Sequence, residues 1–244
     1  MTEGEKKLTL LGHMRELRNR LIKVVIALAI STLVSFIFYR WLFHILTAPS
    51  HGAHLIFIEV TEMVGTIMKV CLTSGIIIAI PYITFQAIMF IRPALTRREK
   101  KYIYIVMPWI TLMFLGGVVF GYFILIPPAI NFLLHFGSDI ATPQITIGNY
   151  VSVVTRLLLI IGLIFELPVV TTLLAKIGIV SPKWLAGKRK MAVVVAFIVA
   201  AIVTPTFDPV NQTLVAAPLI VLYEMGIWLA KLVYRQKKQE AAAG

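Results

Sequence analysis

A glutamate in the middle of a long apolar run has the plainest claim to chemistry in this chain. Glu166 stands in Gly162-Leu163-Ile164-Phe165-Glu166-Leu167-Pro168. If that run crosses a bilayer, a charge there costs about 2.5–3.5 kcal/mol even on the lenient insertion scale, so the carboxyl must be neutral, hydrated or paired. Such a group can carry a proton or hold a polar partner. It can also be a neutral structural residue bonded to a neighbouring helix, and Pro168 offers a partner by freeing the Ile164 carbonyl. Two more acids, Glu16 and Glu99, stand among cations: Arg15, Arg18 and Arg20 surround the first, and Arg97, Arg98, Lys100 and Lys101 the second. Each has a local explanation. Glu16 and Arg20 are an i,i+4 pair, and Thr96-Arg97-Arg98-Glu99 has the form of a capping box.

A second polar cluster lies in Thr204-Pro205-Thr206-Phe207-Asp208-Pro209-Val210-Asn211-Gln212. It reads as a tight turn with Asn211 capping the next helix. With short spans on either side, Thr204 and Gln212 would also sit below the headgroups as handles for a partner helix, at about 0.6–2 kcal/mol per hydrogen bond. Glu224 lies closer to a span end, where snorkelling weakens its case. No phosphate loop, His-Glu-x-x-His helix or Gly-x-Ser-x-Gly turn is present. The one cysteine, Cys71, sits in an apolar run and gives no disulfide, metal or redox signal. No catalytic residue, metal site or cofactor is expected.

The elements that must position these residues follow from composition. Of 244 residues 59% are hydrophobic and 14% charged, and the mean hydropathy is +0.90. A spanning helix needs about 20 apolar residues. The chain therefore reads as one all-α polytopic membrane domain, 1–244, with spans at about Ile22–Leu46, Gly65–Ile91, Ile103–Phe132, Val151–Ala175, Met191–Thr204 and Thr213–Leu232. The last two are expected to be short, leaving a concavity open to lipid or partner helices. Residues 1–21 form an amphipathic segment that runs into the first span, and 233–244 a tail. The N-terminus, polar through residue 20, does not read as a cleavable signal peptide.

Charge sets the expected orientation. A net +12 would suggest nucleic acid in a soluble protein, but here 20 of the 23 Lys and Arg residues fall in 1–23, 92–101, 176–190 and 231–238, and none in 47–64, 136–149 or 205–212. Basic loops stay cytoplasmic. Both termini are therefore expected in the cytoplasm, with six spans and no nucleic-acid partner.

Four segments, in order, resemble the signature of a known family. They are His13-Met14-Arg15-Glu16-Leu17-Arg18-Asn19-Arg20, Phe90-Ile91-Arg92-Pro93-Ala94-Leu95 ahead of Glu99, Phe165-Glu166-Leu167-Pro168-Val169, and Thr204-Pro205 through Asp208 to Gln212. The chain resembles TatC, the multispanning receptor subunit of the twin-arginine protein translocase, over about residues 8–234. The resemblance implies a plasma or inner membrane component that binds twin-arginine signal peptides. It also implies assembly with TatA- and TatB-like single-span proteins, in a working complex of several copies, to export folded proteins with the proton-motive force. It maps signal binding onto Glu16 and Glu99, with Arg18 and His13 in the same motif. An intramembrane polar site falls on Glu166, and partner-helix contacts on Thr204, Asp208 and Gln212. Arg92 departs from the Ala or Lys of many members, and the 204–212 linker is one residue longer than in some. A proton-coupled secondary transporter using Glu166 is the alternative; it predicts paired broken helices and an inverted repeat, and the sequence shows neither.

Overall fold

Lipid offers the backbone no hydrogen-bond partner, so apolar runs of this length close their bonds internally as helices. The computed structural model describes the backbone of residues 3–50, 55–91, 97–135, 144–204 and 208–242, with side chains apart from 3–11, 91, 97–105, 134 and 235–242. Ten helices carry nearly all of it: α1 Glu3–Ile37, α2 Tyr39–Thr47, α3 Val60–Ile91, α4 Arg97–Phe120, α5 Ile126–His135, α6 Ile147–Phe165, α7 Leu167–Ile177, α8 Pro182–Gly187, α9 Arg189–Val203 and α10 Pro209–Ala242. Two short strands, β1 Leu55–Ile56 and β2 Ile145–Thr146, pair in parallel. The protein is an all-α polytopic membrane protein. Among the described residues five stretches are long and apolar enough to cross a bilayer: Gly12–Ile37, Val60–Phe90, Val106–Leu133, Ile147–Ile177 and Pro209–Tyr234.

Three expected spans are interrupted, each for a local reason. The first breaks at Phe38, whose amide bonds Ser35 O only three residues back at 3.2 Å. Just before it, Ser31 and Ser35 turn their hydroxyls onto Leu28 O and Ser31 O, a pattern that bends helices. The redirected α2 packs Leu42, Phe43 and Leu46 on the core. The third span opens into a π turn, Gly121–Leu125, in which Ile126 N reaches back to Gly121 O. Pro127 and Pro128 follow and cannot donate, so the ladder shifts by one residue. The fourth divides at Glu166, two residues before Pro168, where the Glu166 amide bonds Leu163 O at 3.1 Å.

Of the two final helices expected to be short, only α9 is, with 15 residues, and it is not among the five stretches long and apolar enough to cross. α10 begins four residues earlier than expected because Asp208 caps it and Pro209 occupies its first position. Asp208 Oδ1 accepts from Asn211 N at 2.7 Å. The cap is thus Asp208, not Asn211 as the turn chemistry suggested.

Neighbouring helices run antiparallel in fixed register. Along α1 and α3, His13 lies on Phe90, Arg20 on Gln86 and Ser31 on the Gly75 carbonyl. A Cβ on Gly75 would lie 2.5 Å from Thr32 Oγ1 and 2.8 Å from its Cα. Along α4 and α6 the same closeness recurs, since a Cβ on Gly162 would meet the Phe114 ring at 2.7 Å. Small residues let backbones approach where no hydrophobic force drives helices together. The fully buried side chains Phe114, Ile126, Val151, Val154, Leu157 and Ile161 centre the core on α6.

Candidate functional site

The carboxylate of Glu16 is placed by the register of α1 on α3. Arg20, one turn on, donates from Nε to Glu16 Oε1 at 3.0 Å, and its Nη2 reaches the same oxygen. The guanidinium then spans to the neighbouring helix, where Nη1 donates to Gln86 Oε1 at 3.1 Å. Gln86 is buried, and its Nε2 donates to Tyr82 OH at 2.7 Å, so the amide is satisfied on both sides. One turn before Glu16, the His13 ring stacks on Phe90 with centroids 4.2 Å apart. Arg18 is exposed. The result is a half-buried carboxylate at one end of the bundle, held by a cation that is itself anchored across a helix pair.

Glu99 is the third residue of α4; its side chain, like Thr96 of the capping-box reading, lies outside the described residues. Its backbone position is informative. Five residues separate the end of α3 from the start of α4, so its first turn stands at the end of the bundle where Phe90 meets His13.

Glu166 lies at the α6–α7 break. Its Oε1 is sealed from solvent and finds no hydrogen-bond partner among the described residues, so the bond to the Ile164 carbonyl that Pro168 suggested is not made by that oxygen. Buried polar atoms without partners are rare in folded chains. Among the described residues, Glu166 Oε1 and Thr32 Oγ1 are the buried side-chain oxygens with unmet bonding capacity, and Glu166 alone of the two is ionisable. Glu224 behaves differently. Arg189 donates to it through Nε and through Nη2, the latter at 3.0 Å, and this bidentate hydrogen bond, followed by the charge, holds the guanidinium above its ordinary pKa.

At the far end of the bundle Thr204 is buried and returns its hydroxyl to Ala200 O at 2.8 Å, and Gln212 Nε2 donates to Phe197 O at 3.1 Å. Asp208 caps α10 between them. Sequence reasoning missed Glu62. Its Oε1 accepts from Gly148 N and its Oε2 from Ile58 N, both at 3.0 Å, which ties α3 to the start of α6 beside the β1–β2 pair. The expected residues thus form three groups: His13 and Glu16 at one end with the start of α4, Glu166 at mid-span, and Thr204, Asp208 and Gln212 at the other end.

A bundle with these breaks and registers has close counterparts. A crystal structure described as the twin-arginine translocase receptor TatC superposes with a TM-score of 0.81 at 40% identity, covering 91% of this chain and 99% of that one. A second, of TatC in DDM, gives 0.82 at 39% identity over 89% and 99%. The Sec-independent protein translocase protein TatC of Carboxydothermus hydrogenoformans is 41% identical over 94% of this chain and 95% of its own length. That of Aquifex aeolicus is 40% identical over 93% and 96%, and the chloroplastic TATC of Arabidopsis thaliana 34% identical over 95% and 68%. The model of the family described as Sec-independent protein translocase protein (TatC) matches residues 12–218, a stretch that holds His13, Glu16, Glu99, Glu166, Thr204, Asp208 and Gln212. Likeness of this extent in both sequence and fold settles the lineage: this chain belongs to the TatC family.

Proposed function

We propose that this Tat translocase subunit is the signal-peptide receptor of its complex, with Glu16 and Glu99 as the two carboxylates that take the paired arginines. The observation that carries the reading is topological. His13 against Phe90 brings the start of α1 to the end of α3 from which α4 departs, so the two acids belong to one face of the bundle. Two adjacent arginines present two planar forks, and a carboxylate meets each with parallel charge-assisted bonds that lysine cannot copy. Glu16 already accepts a guanidinium, Arg20 reaching its Oε1 through both Nε and Nη2.

Bonds to charged groups contribute about 1.5–3 kcal/mol each, against roughly 8 kcal/mol for micromolar binding. The arginine pair therefore supplies selectivity, and the apolar stretch of the signal, lying against the helices and lipid, supplies the rest. Arg18 and His13 border the site. The face lies in the cytoplasm, with both termini, and the chain works as a single transmembrane domain in the plasma or inner membrane. Glu166, Thr204, Asp208 and Gln212 engage single-span TatA- and TatB-like partners in an assembly of several copies, driven by the proton-motive force.

The test is crosslinking of the full chain, in membranes, to an Arg-Arg signal peptide and its Lys-Lys counterpart. Glu16→Ala and Glu99→Ala each abolish the Arg-Arg adduct while membrane insertion is retained. Undiminished crosslinking in both variants removes the two-carboxylate reading.

A further inference from the structure

An apolar groove of about 500 Å³ opens where α7, α8, α9 and α10 meet, with Leu167, the residue after Glu166, in its lining. Leu185, Val195 and Leu219 form its walls, and Trp184, Lys188 and Met191 stand around it. Trp184 and Met191 are more than half exposed. Lys188 Nζ lies 5.9 Å from the centre of the Trp184 ring. An indole beside a lysine at the end of a helical bundle marks the headgroup level of a bilayer.

Cations outnumber acids around the groove. Between Leu167 and Phe207 the sequence holds five cations and no acid. The neighbouring Glu224 is already taken by Arg189. Lys183, Lys188 and Lys190 are exposed and make no ion pair among the described residues. A partner helix does not suit the space: at about 10–12 Å across and 5.4 Å per turn, one helical turn already occupies roughly 500 Å³. A single extended hydrocarbon chain does suit it.

We propose that this groove binds an anionic phospholipid, one acyl chain between Val195 and Leu219 and the phosphate at Lys188, with Lys183 adding to the field. Anionic headgroups are drawn to basic pockets between membrane helices, and the apolar walls remove the chain from competition with bulk lipid by shape.

The experiment is native mass spectrometry of the full-length protein in detergent, titrated separately with phosphatidylglycerol, phosphatidylcholine and inorganic phosphate. One phosphatidylglycerol is retained in preference to phosphatidylcholine. Lys183→Gln/Lys188→Gln, on exposed positions, lowers that preference by about 30-fold, the equivalent of about 1 kcal/mol per lysine. Val195→Trp fills the groove and loses the bound lipid of either kind. The proposal is overturned if the double variant keeps its preference, if inorganic phosphate alone displaces the lipid, or if Val195→Trp binds as before. A lipid-free groove closed by a second copy of the chain, seen as a dimer mass, overturns it too.

Discussion

Glu62 uses both carboxylate oxygens on backbone amides, Ile58 on its own loop and Gly148 at the start of α6. A Cβ at 148 would lie 2.7 Å from Oε1, so the clamp needs glycine opposite it. Glu62→Gln offers one acceptor where two are used and points an N–H2 at an N–H. It should lower the unfolding midpoint in detergent; an unmoved midpoint means the clamp does not hold the loops. This residue was not legible in the sequence because its partner is 86 positions away. Glu16 was legible because Arg20 is four positions away, yet its anchor Gln86, 66 positions from Arg20, was not. Glu166 stood out for a different reason: hydropathy alone identifies a carboxyl in the wrong solvent. Asp208 and Asn211 were both visible as capping types, and only the helix start at Pro209 decides between them.

Helices are where hydropathy is most informative, since lipid enforces them, and every expected span has a helical counterpart. The breaks at Phe38 and Gly121 were not read because they arise from hydroxyls, prolines and packing that a hydropathy window averages away. Register escaped for the same reason. α1 is anchored almost wholly on α3, with most of its apolar face exposed to lipid, so the position of Glu16 depends on one helix contact. Gly75 sets it. A methyl there meets Thr32 side chain and backbone within 3 Å, whereas nothing lies within 4 Å of the same methyl on Gly65. Gly75→Ala should therefore lose about 1–3 kcal/mol by overpacking in a denaturant titration in micelles, and Gly65→Ala should lose none. Equal effects of the two would mean that α1 does not sit on α3 in this register.

At the scale of the molecule the consequential asymmetry is α9. Its 15 residues span about 22 Å, against a hydrocarbon core of about 30 Å. It has little freedom to slide, because Arg189–Glu224 ties one end to α10 and Gln212–Phe197 ties the stretch nearer the other. α10 itself is not short: Pro209–Tyr234 is long enough to cross. The shortfall therefore falls on the bilayer beside α9, which must thin, at fractions of a kcal/mol per Å of mismatch. Full-length protein reconstituted into nanodiscs of graded acyl length should be most resistant to thermal unfolding in bilayers several Å thinner than average. Inserting one apolar helical turn after Val193 separates the tie at Phe197 from the tie at Arg189 and lengthens α9 by about 6 Å. That variant should be less stable in every bilayer, yet its optimum should move toward thicker ones. If the parent instead gains stability steadily with thickness, the short helix leans on its neighbours without deforming lipid, and the thinned membrane is not part of how this bundle sits.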